Sequence, residues 1–141
     1  MTIKEIQEEL IKKFSDVSDW DERYAMIIKM GRELPEFPEE LRTDKNKLDG
    51  CQSQVWTHAE LQDGKLIIHA DSDAMIVKGL IGLIVKVYSN HTPDEILTTP
   101  PDFISKIGID GHLSPTRKNG LGAMLKQIQM YALAFKALAN K

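Results

Sequence analysis

The hydrophobic positions at the start of the chain recur with helical spacing. Ile3, Ile6, Leu10, Ile11 and Phe14 form one stripe, and Thr2 and Glu5 have the spacing of a capping box. Ser15-Asp16-Val17-Ser18 breaks the pattern. Asp19 and Glu22 offer a second helix start, with Trp20, Tyr24, Ile27 and Ile28 directed inward and Gly31 near the end. Residues 34–50 hold two prolines and a polar run. They predict a long connection with a short edge strand at Lys47 and Leu48. From Val55 the period changes to two: Thr57, Ala59 and Leu61 alternate with Trp56, His58 and Glu60. Asp63-Gly64 is a tight-turn pair, and Leu66, Ile67 and Ile68 carry a return strand.

Asp71-Ser72-Asp73 predicts the end of this hairpin and the N-cap of a helix running from residue 74 to about 90. That helix is apolar on most sides, as a central packing helix would be. Gly79 and Gly82 weaken it and point to close approach by another element. Thr92-Pro93-Asp94-Glu95 starts a short helix, and a second spans residues 101–107 and stops at Gly108. Residues 113–120 read as a polar turn. It leads into a long last helix with Leu121, Met124, Leu125, Ile128, Ala132, Phe135 and Leu138 on one stripe. Helices, a small antiparallel sheet of about three strands, then helices again predict an α+β fold in two layers.

Length and composition narrow the classes. The chain has 141 residues, 42% hydrophobic and 28% charged, which predicts one domain over residues 1–141 with a proper core. A net charge of −3 gives no electrostatic case for a nucleic-acid partner. No apolar run approaches the ~20 residues of a membrane-spanning helix. Met1-Thr2-Ile3-Lys4-Glu5 lacks the basic-then-apolar order of a signal peptide. With a free cysteine, this leads to an expectation of a reducing cytoplasm.

Chemistry concentrates on Cys51, the only cysteine. It cannot form an internal disulfide or supply the several thiolates of a cluster or structural zinc site. Two readings stand: a small buried hydrophobe, or a lone nucleophile that bonds to other molecules. Asp49-Gly50 before it and Gln52-Ser53-Gln54 after it read as a surface loop braced by the hairpin. The other candidates have simpler explanations. His58 and His69 face each other across the hairpin but lack a third ligand, so no metal is expected. Asp71 and Asp73 are helix caps before they are paired acids, with partner docking as the alternative. Ser114 ahead of Pro115 is a cap rather than a nucleophile. Arg117 is an exposed charge, or a guanidinium placed near a thiolate or carboxylate. Trp20 and Trp56 are packing residues.

Three separated stretches carry a resemblance. Gly50-Cys51-Gln52-Ser53-Gln54-Val55-Trp56, the stretch from Asp71 to Leu80 (DSDAMIVKGL), and the stretch from Leu113 to Leu121 (LSPTRKNGL) resemble the SufE family in this order. The similarity runs from about Trp20 to Tyr131. It implies a fold shared with IscU-type scaffolds and a role as sulfur acceptor and activator of a pyridoxal-phosphate cysteine desulfurase. In that role Cys51 takes a persulfide sulfur and hands it to an iron–sulfur scaffold protein. Gly50, Gln52, Ser53, Asp73 and Arg117 are the implied supporting or partner-binding residues. No cofactor is expected on this chain, because the pyridoxal phosphate sits on the desulfurase, and no independent turnover is expected. A homodimer is compatible with the resemblance. A non-covalent desulfurase-binding module, a paralogue serving a related desulfurase and a single-cysteine peroxidase are the alternatives.

Overall fold

Thr2 opens the first helix with a reciprocal pair of hydrogen bonds. Its Oγ1 accepts the Glu5 N–H at 3.1 Å, and its own N–H donates to Glu5 Oε1 at 2.9 Å. In the computed structural model, which describes residues 1–48 and 53–139, this helix is α1 (Ile3–Ser15), with Ile3, Leu10 and Phe14 buried. Helix α2 (Trp20–Arg32) starts at Asp19, whose carboxylate accepts the Asp21 N–H at 3.1 Å. Buried Gln7 ties α1 to the later helices. Its amide donates to Pro100 O at 3.0 Å and accepts the Phe103 N–H at 2.9 Å, so both polar ends are satisfied.

The connection after α2 contains two 3-10 turns, Glu39–Leu41 and Asp44–Asn46. Strands β1 (Val55–Gln62) and β2 (Lys65–Ser72) then pair antiparallel, from Val55 opposite Ser72 to Gln62 opposite Lys65. Asp63 and Gly64 both take positive φ, +53° and +78°, which lets a two-residue turn follow the twist of the strands. Val55, Thr57 and Ala59 in β1 and Leu66, Ile68 and Ala70 in β2 are buried on one face. Among the described residues the sheet has two strands rather than about three. Lys47 contributes a single bridge to Trp56, because the 3-10 turn directly before it ends the pairing on that side. Beyond β2, Leu66 exchanges hydrogen bonds with the backbone of Asn90 and His91 at 2.7 and 2.8 Å, which covers that edge.

Helix α3 (Met75–Tyr88) packs on the buried face of the sheet and against α2. The α2–α3 contact is glycine-mediated, as the sequence pattern predicts. A Cβ on Gly79 would collide with the Ile27 carbonyl, and one on Gly82 would sit 2.7 Å from Met30 O. Short helices α4 (Pro93–Thr98) and α5 (Asp102–Ile107) follow, the latter ended by Gly108 at φ +88°.

Helix α6 (Pro115–Ala139) packs on α3 and α4. It begins six residues before Leu121, inside the stretch expected to be a turn. The reason is local. Ser114 Oγ accepts the Arg117 N–H at 3.3 Å and its carbonyl accepts the Lys118 N–H at 2.9 Å, while Pro115 suits the first helical position. Among the described residues no helix is long and apolar enough to cross a membrane.

Candidate functional site: an apolar groove at Ser53

Residues of α3 and of the start of α6 line a groove of about 370 Å³ together with Ser53 and Val55. Its floor is apolar: Val55 from β1, Leu80, Ile81 and Ile84 from α3, and Met124 from α6 are all buried. Its rim is polar. Ser114, just ahead of α6, and Thr116 and Arg117 from its first turn line it and are exposed. Among the described residues no carboxylate pairs with Arg117. A guanidinium with no carboxylate partner among the described residues, on the rim of an apolar floor, suits a transient anionic or polarisable guest.

Gly50, Cys51 and Gln52 lie outside the described residues, while both roots of their segment are described. At one root the Leu48 N–H donates to Val55 O at 2.8 Å. At the other, Asp73 Oδ1 accepts the Gln54 N–H at 3.0 Å, and the Asp73 N–H donates to Gln54 O at 3.3 Å. Asp73 is therefore a clasp on the residue after Ser53 rather than a helix cap. Helix α3 starts behind Ala74, whose N–H is taken by Ser72 Oγ at 3.2 Å. Of the residues singled out from sequence, Ser53 and Arg117 share the groove and Asp73 holds its neighbour. Arg117 sits on a helix, not in a turn.

Asp71 is not a cap either. It is the last outward-facing residue of β2 before Ser72. Its Oδ2 pairs with Arg42 Nη1 at 2.9 Å and its Oδ1 with Lys78 Nζ at 3.2 Å. Burial alone pushes its carboxyl up. Hydrogen bonds from Arg42, the Ser72 N–H and Lys78 outweigh that and hold it below the ordinary 3.8. Stability from the ionised form is therefore complete well above pH 3.8 and is lost as pH falls through the lower folded value. In urea unfolding, the stability gap between the parent and Asp71→Asn is expected to be wide near neutrality. It should narrow steadily below about pH 4, and a gap independent of pH would contradict this. Neither Arg42 nor Lys78 is legible as a partner of Asp71 from spacing.

The remaining candidates are structural. His58 and His69 pair across the hairpin with ring centroids 6.2 Å apart, and His69 Nε2 lies 3.0 Å from Glu60 Oε1. That hydrogen bond lowers the Glu60 carboxyl. Among the described residues no group of three side chains is placed to hold a metal ion. Trp20 stacks on His112 at 3.6 Å, and Trp56 packs under Arg42.

Residues 8–132 match the family model described as the SufE, Fe-S metabolism associated domain. The chain belongs to the SufE family. A SufE-like protein of Rhizobium meliloti, itself described as uncharacterized, is 39% identical over 130 residues, covering 89% of this chain and 93% of the relative. A second uncharacterized SufE-like protein, from Synechocystis, is 38% identical over 127 residues, covering 90% of this chain and 80% of the relative. The solution structure of a hypothetical protein from Thermus thermophilus superposes with a TM-score of 0.77 at 23% identity, covering 95% of this chain and 96% of that one. That likeness shows the fold. SufE membership associates the chain with iron–sulfur metabolism.

Proposed function

We propose that this SufE-family chain is a sulfur acceptor that activates a cysteine desulfurase, with Cys51 as the residue that takes the sulfur. The observation that carries the reading is the groove. An apolar cleft rimmed by Arg117, which has no carboxylate partner among the described residues, opens beside Ser53. Cys51 lies two positions before Ser53, so their Cα atoms are at most ~7 Å apart. A thiolate or persulfide is anionic and polarisable, and such a cleft complements both properties.

The transfer is a thiol exchange in which sulfane sulfur moves without any outside oxidant. The Cys51 thiolate attacks the outer sulfur of the desulfurase persulfide. A new S–S bond forms on Cys51, the desulfurase S–S bond breaks, and its cysteine leaves as a thiolate. The pyridoxal phosphate that generates the persulfide belongs to the partner. The desulfurase is then free for another turnover, and Cys51 hands its sulfur to an iron–sulfur scaffold. One thiol suffices for carriage, and its need to stay reduced fits a cytoplasmic setting.

The test is intact mass after incubation with a cysteine desulfurase, pyridoxal phosphate and cysteine, without reductant. A gain of one sulfur, reversed by added thiol, is expected. Because Cys51 is the only cysteine, the gain locates itself. No gain with a desulfurase whose turnover the chain stimulates overturns the proposal. Arg117→Ala is expected to slow uptake about tenfold and displace its pH profile upward, since a cation near a thiolate favours the ionised form. The fold should survive, because Arg117 is exposed. An unchanged rate and profile in stopped-flow uptake would remove Arg117 from the site.

A further inference from the structure

Helix α6 is a basic helix on an acidic chain. It holds Arg117, Lys118, Lys126 and Lys136 and no Asp or Glu, while the whole chain carries −3. Lys136 is taken by Asp94 at 2.8 Å. Among the described residues no carboxylate pairs with Lys118 or Lys126. The helix is also apolar on two sides. Met124, Ile128 and Ala132 are buried against the core. On the opposite side Met130 and Leu133, 53% and 58% exposed, follow Lys126 at one-turn spacing. Isolated exposed apolar residues are ordinary, but this row continues from a cleft. The cleft is about 300 Å³, lies between α5 and α6, and is walled by Pro101, Ile104, Leu121 and Leu125. Gly122 and Lys118 also line it, and a Cβ on Gly122 would meet nothing within 4 Å. Gly122 precedes Lys126 by four residues, so cleft and row share one side of the helix.

We propose that this side of α6, from the cleft at Gly122 to Leu133, docks an acidic amphipathic helix of a partner protein. One apolar side chain of that helix enters the cleft and the next ones cover Met130 and Leu133. Its carboxylates pair with Lys118 and Lys126. Shape and charge select this occupant. The surface is one helix wide and runs about 17 Å, or three turns. That is far below the ~800 Å² per partner of a stable dimer, and two copies of α6 face to face would meet with lysines and no acid. A lipid surface fits poorly too. Tyr131 and Phe135 are turned partly inward, which leaves the outer row without an aromatic anchor, and the chain as a whole is anionic. Asp110, the one acid lining the cleft, belongs to the turn after α5 and accepts the Gly111 N–H at 3.0 Å. The partner's carboxylates therefore belong on the α6 side. None of Gly122, Lys126, Met130 and Leu133 lines the groove at Ser53, so this surface stays free while that groove is engaged. The inference does not depend on the sulfur-acceptor reading.

The probe is a labelled helical peptide of about 18 residues with Leu at the a and d heptad positions and Glu at e and g, beside a counterpart with Lys at e and g. Both are titrated with the full chain in fluorescence anisotropy. The acidic peptide is expected to bind at least about tenfold tighter than the lysine peptide, and to lose several-fold in affinity when salt is raised. Gly122→Leu fills the cleft and adds helix propensity without a clash at its Cβ, so its fold should survive. It and Leu133→Gln should each weaken the acidic peptide about tenfold. Lys126→Gln should weaken it less and flatten its salt dependence. Equal affinity for the two peptides overturns the proposal, as does parental affinity in both Gly122→Leu and Leu133→Gln. Sedimentation equilibrium and co-sedimentation with phosphatidylserine–phosphatidylcholine vesicles test the other occupants. A parental dimer that Leu133→Gln dissolves assigns the surface to a second copy, and vesicle binding lost in the same variant assigns it to lipid. Either result overturns the proposal.

Discussion

Cys51→Ser is expected to take sulfur acceptance to zero and leave the fold intact. The physical basis is the nucleophile. Sulfur transfer needs a thiolate, a soft anion available near neutral pH. A serine hydroxyl stays protonated there and does not attack sulfane sulfur. The chain offers no second thiol to substitute. The change replaces one atom and leaves Gly79, the hairpin turn and the buried apolar residues untouched, so unfolding midpoints should match the parent. Intact mass checks the first part and desulfurase turnover the second. Turnover should return to the level of the desulfurase alone, because the acceptor no longer clears its persulfide. If the serine variant stimulated turnover as strongly as the parent, the chain would be a non-covalent activator with Cys51 a bystander.

Gly79→Ala carries the largest expected cost in stability. Two effects oppose each other at this site. Alanine favours a helix over glycine by about 1 kcal/mol. Against that, its Cβ would collide with the Ile27 carbonyl, with the Ile27 carbon and Cγ2 at 2.8 Å. Two of those atoms are backbone and have no rotamer to escape into. Helices α2 and α3 must separate, and the loosened contact is the one that joins α2 to the core. Overpacking of this kind costs up to about 3 kcal/mol, so the net loss is about 2 kcal/mol. At about 4 °C per kcal/mol this lowers the melting midpoint by roughly 8 °C. Gly122→Ala is the matched control. It lies in α6 with nothing within 4 Å of an added Cβ, so only propensity acts. Its midpoint should rise by a few degrees, by the same scaling. Equal shifts in calorimetry at the two positions would show that propensity and not contact governs Gly79.

The two variants also mark where sequence reasoning succeeds. Gly79 and Gly82 in an apolar helix predict a close approach, because nothing else explains two poor helix formers there. The Thr2–Glu5 cap, the Asp63–Gly64 turn and the Gly108 stop are equally legible, since each is a bond or dihedral made by neighbours in sequence. The Asp71–Asp73 stretch shows the opposite. Good capping residues ahead of an apolar helix predict a cap, yet the strand continues through Ser72. Asp71 turns to Arg42 and Lys78, and Asp73 to Gln54. The competing partners come from other elements, and local preference cannot weigh them. Helix α6 starts earlier than the polar run suggests for a different reason. Gly120 and the polar run mask a helix whose Ser114-Pro115 opening was itself readable.

By itself, the sequence determined the chemistry available to this protein. One thiol permits carriage of sulfur and excludes holding a cluster alone, and that follows from counting residues. It also determined most helices, the hairpin and the inward-facing stripe of each, because these depend on periodicity and on contacts within a few residues. The tertiary structure alone decided what lies around Ser53 and what holds the two described roots of the cysteine segment. The groove exists because α3, the start of α6, Val55 and Ser53 come together to line it, with Arg117 on its rim. The roots are held because Leu48 meets Val55 and Asp73 meets Gln54 across separate stretches of chain. Such contacts are chosen by how whole elements pack. Their energy depends on burial and on neighbours distant in sequence, so no local pattern records them.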